Sequence, residues 1–133
     1  MTGQDPPPAE VTGSEELASV EISWQDGVLI VAIAGELDIS NIDRIAATIH
    51  AQPNSEEGLV IDVAAVSYLD SSAISLLHDL AMRLRSRAQR LIVAATPGSA
   101  PRRMLELTAL DANAPVVDSR ELALKLLGNT GLR

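Results

Sequence analysis

Hydrophobic residues along the chain occur in short runs separated by polar segments and glycines. Val20, Ile22 and Trp24 alternate with polar neighbours, a pattern typical of an edge strand with one buried face. Asp26-Gly27 then predicts a hairpin turn. Three continuous, mostly β-branched runs predict strands buried on both faces. These runs are residues 28–34, closed by Gly35, 59–63 and 91–95, and Val116-Val117 predicts a shorter fifth strand.

Helical patterns fill the gaps between these strands. Apolar residues there recur at three- and four-residue spacing, with polar residues on the other faces. The predicted helices span residues 40–51, 71–87, 99–108 and 119–127, each starting at or just after a serine suited to capping, and Gly128 follows as a stop signal. The order β-β-α-β-α-β-α-β-α predicts an α/β fold, with a mixed, mostly parallel five-stranded sheet and about four helices.

The first residues of the chain differ in composition from the rest. Residues 1–16 contain three consecutive prolines, four acidic residues and no basic residue. A segment of this composition buries too little apolar surface to repay its ordering entropy, so we expect a disordered tail. The remainder predicts one domain over residues 17–128 and a short C-terminal tail over residues 129–133.

Composition and charge narrow the possible chemistry. The 133 residues include no Phe and no Cys. The absence of Cys excludes disulfides, thiolate nucleophiles and Cys-ligated zinc. A net charge of −8 disfavours binding to nucleic acid or to anionic membranes. No apolar run approaches the ~20 residues that span a bilayer. We therefore expect a soluble, cytoplasmic protein with neither nucleic acid nor membrane as a partner.

The polar residues do not form a catalytic arrangement. Ser71 and His78 lie seven residues apart on one predicted helix, about 10 Å along its axis, too far for a hydrogen bond. A phosphate-accepting receiver domain needs a lysine beside an acid at a strand end, and the sole lysine, Lys125, falls inside the last predicted helix. The chain has no phosphate-binding glycine loop and no metal-ligand motif. We therefore expect no enzymatic activity, no cofactor and no metal.

Three stretches together carry a family resemblance. Residues 59–74 are a buried strand, a turn and the sequence Asp-Ser-Ser at the start of a helix. Residues 35–38 read Gly-Glu-Leu-Asp, and residues 102–110 form a later helix and turn. In these stretches the chain resembles the STAS family, specifically the bacterial anti-sigma factor antagonists, over about residues 17–128. Ala73 and Ala109 stand where that family usually has Gly.

The resemblance implies a function by partner switching. Ser71 corresponds to the family's phosphorylated serine, with Ser72 as the neighbouring alternative. The unphosphorylated protein would bind an anti-sigma factor that is also a serine kinase, and so displace a sigma factor. Phosphorylation by that kinase would end the binding, and a metal-dependent phosphatase of the PP2C type would restore it. The residues implied to contact the kinase are Glu36, Asp38, Asp70, Ser71, Ser72 and Ala73.

The residues around Ser71 also allow simpler interpretations. Asp70 or Ser71 can cap the helix with no further role. The chain can also be a STAS interaction subunit that is not phosphorylated, for example in an ABC-type lipid transport system. If Ser71 is phosphorylated, we expect the free N–H groups of the first helical turn to accommodate the phosphate, and its charge to add to that of Asp70.

Overall fold

Five strands form a single sheet in the order β1-β2-β3-β4-β5. The structure is a computed structural model that describes residues 18–130, except the side chains of residues 111, 129 and 130. β1 pairs antiparallel with β2, and the other neighbours pair in parallel. The predicted α/β fold with a mixed, mostly parallel sheet is confirmed. The strands are β1 (Ala18–Gln25), β2 (Val28–Leu37), β3 (Gly58–Leu69), β4 (Arg90–Ala94) and β5 (Val116–Val117).

Helices cover both faces of the sheet. They are α1 (Ile42–His50), α2 (Ser71–Arg85), α3 (Ala100–Leu107) and α4 (Arg120–Thr130), with a 3-10 helix at Leu110–Ala112. The larger core includes Ile45 of α1, Leu77 of α2 and Leu105 of α3. On the opposite face, Ala123 and Leu127 of α4 pack in a smaller core. The described helices include none that is long and apolar enough to cross a membrane.

Two strands run further than the hydrophobic pattern predicts. β2 continues through Gly35 to Leu37, and β3 continues to Leu69. The pairing between them shifts register twice, between Ala32 and Ala34 just before the extension and between Gly35 and Glu36 within it. Such irregularities break the alternation of buried and exposed residues, so the sequence pattern predicts a loop where the strands in fact continue. It brings the ends of β2 and β3 to the same edge of the sheet.

The helix ends follow the predictions only in part. Ser99 and Ser119 accept hydrogen bonds from the backbone N–H groups three residues on, both at 3.2 Å, as expected for caps. The predicted cap at Ser40 is wrong, because α1 begins at Ile42 with Asn41 in the N-cap position. The predicted stop at Gly128 is also wrong, since α4 continues to Thr130. The predicted tail over residues 1–16 lies outside the described residues.

Candidate functional site

The candidate site lies where the carboxyl ends of β2 and β3 meet. Leu37 pairs with Leu69 in the last step of the parallel ladder. The N–H of Asp70 donates to the carbonyl oxygen of Leu37 at 3.1 Å. The turn after β2, which holds Asp38, therefore lies directly beside the turn that starts α2. Two of the stretches that resemble the STAS family are brought together here.

Asp70 connects these two turns through its carboxylate. Its Oδ2 accepts a hydrogen bond from the N–H of Ile39 at 3.1 Å. Its Oδ1 caps α2 by accepting from the N–H groups of Ser72 (2.9 Å) and Ala73 (3.3 Å). The Ser72 hydroxyl also donates to Oδ1. This bond is the largest cause of the lowered pKa of Asp70. Burial acts in the opposite direction and raises the pKa, whereas the three N–H bonds lower it further. Asp70 is therefore ionised at neutral pH, and it has a capping role.

The first helical turn has fewer free N–H groups than the sequence suggested. The N–H groups of Ser72 and Ala73 already donate to the Asp70 side chain. The N–H groups of Ala73 and Ile74 also donate to the Asp70 carbonyl oxygen, at 3.1 and 3.2 Å. The expectation that these groups stand free for a phosphate is therefore wrong, because the carboxylate and the carbonyl oxygen of Asp70 occupy them.

Ser71, Ser72 and Ala73 have different environments although they are consecutive. Ser71 is exposed, and among the described residues its hydroxyl has no hydrogen-bond partner. Ser72 is half-buried, and its hydroxyl donates to Asp70 Oδ1 at 2.5 Å. Ala73 is 1% exposed and belongs to the larger core, so its methyl group is not presented at the surface. Of the two hydroxyls, only that of Ser71 is both exposed and uncommitted.

Asp38 organises the turn between β2 and α1. Its Oδ1 accepts hydrogen bonds from the N–H (2.9 Å) and the hydroxyl (2.5 Å) of Ser40. The side chain of Asn41 holds the turn from the other side, accepting from the Asp38 N–H at 3.1 Å and donating to the Glu36 carbonyl oxygen at 2.8 Å. Asn41 is buried and was not identified from the sequence, although an Asn just before a helix is a common capping signal. Glu36 itself is exposed.

Two exposed apolar side chains lie on the segments that form the site. Ile39 is 76% exposed and occupies the tip of the Asp38 turn. Tyr68 is 52% exposed and lies on β3, two residues before Asp70. Ala73, the one apolar residue predicted from the sequence to contact a partner here, is buried. A large apolar residue between two polar ones in a turn, as in Asp38-Ile39-Ser40, was the signal that the prediction missed.

The two histidines are not part of this site. The Nδ1 atom of His78 lies 2.9 Å from Asn113 Nδ2, so its ring is engaged elsewhere. His50 is exposed at the C-terminal end of α1. Across residues 18–130, no group of three or more His, Asp or Glu side chains converges in a way that could hold a metal ion. The site therefore consists of an exposed serine, carboxylates and exposed apolar groups.

Comparisons with known proteins give a consistent result. A model of the STAS domain family matches residues 19–123. The structure is similar to that of an anti-sigma factor antagonist from Mycobacterium paratuberculosis, with 25% identity and a TM-score of 0.75 over 89% of this chain and 99% of that one. It is also similar to the anti-sigma factor antagonist SpoIIAA in its unphosphorylated form (18% identity, TM-score 0.66, 83% and 97% covered). The Bacillus cell fate determinant SpoIIAA in the phosphorylated form is similar as well, with 19% identity and a TM-score of 0.62 over 82% of this chain and 99% of that one. A search of curated proteins finds no match.

Proposed function

The chain belongs to the STAS domain family, and from this premise we propose that it is an anti-sigma factor antagonist controlled by phosphorylation of Ser71. The unmodified protein binds an anti-sigma factor that is also a serine kinase, and thereby frees a sigma factor. The kinase transfers the γ-phosphoryl group of ATP to Ser71 Oγ, which loses its proton, and ADP is released. A PP2C-type phosphatase hydrolyses the phosphoserine. The chain is a substrate and a binding partner in this cycle, and it catalyses neither step.

The observation that carries this proposal is the state of the Ser71 hydroxyl. It is exposed, without a hydrogen-bond partner among residues 18–130, and it lies at the start of a helix. The adjacent Ser72 hydroxyl is bonded to Asp70, so its modification would remove a bond at the helix cap. These differences favour Ser71 over Ser72 as the acceptor.

The arrangement of Asp70 supports a switch that needs no refolding. A phosphate on Ser71 adds a charge of about −1.5 to −2 at neutral pH. It stands beside an ionised Asp70, and the N–H groups of Ser72 and Ala73 are already taken by that carboxylate. A partner that covers Ser71 and Ile39 must remove water from this surface, which costs much more for a phosphate than for a hydroxyl. Phosphorylation therefore weakens binding.

Phosphate transfer to purified protein tests the acceptor residue. The full chain is incubated with the anti-sigma serine kinase of the same organism and ATP, and the modified peptide is identified by mass spectrometry. We expect one phosphate on the wild type and none on Ser71→Ala. Ser75→Ala is the matched control, because Ser75 is also exposed on α2, one turn further on. Undiminished labelling of Ser71→Ala, or no labelling of the wild type, would contradict the proposal.

Binding to the kinase tests the switch itself. Isothermal titration calorimetry should show that Ser71→Ala binds the kinase as the wild type does, and that Ser71→Glu binds at least tenfold more weakly. Equal affinity of Ser71→Glu and Ser71→Ala would be evidence against an electrostatic switch. Affinity purification from cells tests the alternative, since recovery of an ABC-type ATPase in place of a serine kinase indicates a transport subunit.

A further inference from the structure

A small cleft opens at the end of the domain opposite Ser71. It lies between the C-terminal parts of α1 and α2, beside the first residues of β2 and β3, and its volume is about 130 Å³. Ser71 starts α2, whereas Arg83 and Leu84 lie in its last turn, about 20 Å further along the helix axis. The cleft is therefore separate from the surface proposed to bind the kinase.

The floor of this cleft is apolar and its rim is basic. Five aliphatic side chains, each at most 6% exposed, form the floor. They are Leu29, Ile49, Leu59, Leu80 and Leu84. The rim includes His50, Arg83 and Arg87, and none of the residues that line the cleft is acidic. An apolar floor beside two guanidinium groups matches a ligand that has an apolar body and an anionic head.

The two rim arginines have no acidic partner within the described part of the chain. Arg87 Nη1 donates to the neutral Asn54 Oδ1 at 2.9 Å, and the Arg83 guanidinium group makes no hydrogen bond or ion pair within residues 18–130. In contrast, Arg102 pairs with two carboxylates at 3.1 Å and Arg120 with Asp62 at 3.0 Å. The net charge of the chain is −8, yet no acid among residues 18–130 pairs with these two guanidinium groups.

The helix dipole accounts for only part of this basic cluster. Cations in the last turn of a helix interact favourably with its negative end. Arg85 is equally well placed to interact with the helix dipole, but its side chain does not line the cleft. Its Nη2 lies 3.5 Å from Asn113 Oδ1. The dipole thus explains why arginines occur here, but not why Arg83 and Arg87 both line a cleft with a buried apolar floor.

We propose that this cleft binds a small carboxylate with a compact apolar body. The carboxylate lies between Arg83 and Arg87, because a guanidinium group can donate two parallel hydrogen bonds to it. The apolar body rests on the leucine and isoleucine floor. A cavity of about 150 Å³ accepts benzene, so 130 Å³ suits an aromatic ring or a short branched chain. The proposal uses no residue of the Ser71 surface and stands independently of it.

Titration of the isotope-labelled full chain with three probes tests the charge and the apolar body separately. Benzoate has both, acetate lacks the apolar body, and benzyl alcohol lacks the charge. In two-dimensional NMR spectra, we expect benzoate to shift the backbone amide signals of residues 52, 54, 55 and 80–87 in a saturable way. Acetate and benzyl alcohol should bind at least tenfold more weakly, since each loses one of the two contributions.

Substitution of the rim tests the assignment of the arginines. The double variant Arg83→Gln/Arg87→Gln should bind benzoate at least tenfold more weakly, whereas Arg85→Gln, the matched control on the same helix, should bind as the wild type does. Comparable binding of benzyl alcohol and benzoate to the wild type would overturn the proposal. The same holds for undiminished benzoate binding by the double variant, or for no saturable shift at millimolar benzoate. The comparison of probes needs no variant, so it holds even if a substitution disturbs folding.

Discussion

Replacement of Asp70 by alanine is the sharpest test of how the candidate site is held together. The carboxylate accepts hydrogen bonds from the N–H groups of Ile39, Ser72 and Ala73 and from the Ser72 hydroxyl. Asp70→Ala removes all four bonds at once. The change breaks the cap of α2 and also the connection to the Asp38 turn.

The expected loss of stability follows from these bonds. An N-cap acceptor contributes about 1 kcal/mol, within a range of about 0.5–2. The Ile39 bond adds about 0.5–1.5 kcal/mol. This value is modest because the freed N–H lies in an exposed turn, where it can donate to water. The free energy of unfolding should therefore fall by about 2 kcal/mol. At about 4 °C per kcal/mol for a domain of this length, the thermal midpoint should fall by roughly 8 °C.

The lowered pKa of Asp70 predicts how this effect depends on pH. In the folded protein the pKa lies below its ordinary value of 3.8. The ionised carboxylate therefore stabilises the fold above pH 3.8, and this contribution is lost as the pH falls through the lower pKa of the folded state. Asp70→Asn keeps a capping oxygen but no charge, so it should be less stable than the wild type at pH 7. The difference should shrink towards pH 3 and below.

Urea unfolding followed by circular dichroism measures both effects. Asp79→Ala is the matched control, because Asp79 is an exposed acid of the same helix and its carboxylate makes no hydrogen bond or ion pair within residues 18–130. It should change the free energy of unfolding by less than about 0.5 kcal/mol. Equal losses for Asp70→Ala and Asp79→Ala would refute the capping argument. A pH-independent difference between wild type and Asp70→Asn would refute the ionisation argument.

Three further substitutions test other parts of the structure. Ala109 has a φ of +59°, a left-handed conformation that costs a non-glycine residue about 1 kcal/mol. Ala109→Gly should therefore raise the thermal midpoint by a few degrees in calorimetry. A lower thermal midpoint would contradict this interpretation of the turn. Gly58 has a φ of +140°, and a Cβ there would lie 2.6 Å from the Arg90 carbonyl oxygen. Gly58→Ala should therefore lower the free energy of unfolding by at least about 2 kcal/mol. An unchanged urea midpoint would argue against this close approach. Ile39→Ser should weaken binding to the kinase that we propose as partner about tenfold, and it should leave the thermal midpoint unchanged because Ile39 is 76% exposed. Unchanged affinity in calorimetry would exclude Ile39 from the binding surface.

The turn at Ala109 illustrates what a family resemblance conveys without structure. In the sequence, Ala109 is recognisable only as a departure from a usual glycine. The structure supplies the physical reason for that glycine, since the residue lies between α3 and the 3-10 helix with positive φ. Ala73, the other departure, has no such strain, because it lies inside α2 with its methyl group in the core.

The order of elements was determined by the sequence alone because hydrophobic periodicity is a local property. Alternation predicted β1, and continuous β-branched runs predicted the central strands. Apolar residues at helical spacing predicted α1 to α4. The Asp26-Gly27 turn was equally readable, and the structure confirms positive φ at both residues, +52° and +81°. Each of these inferences needs only neighbours in the chain.

The composition of the site was decided by contacts between segments distant in the chain. The extended pairing of β2 with β3 depends on register shifts that no local pattern reveals. Because of it, the Asp70 carboxylate bonds to the N–H of Ile39 as well as to the first turn of its own helix. Likewise, only the packing of α1 against α2 brings Arg83 and Arg87 to the edge of an apolar cleft. The sequence thus determined which elements form, whereas the tertiary structure decided which side chains meet between them.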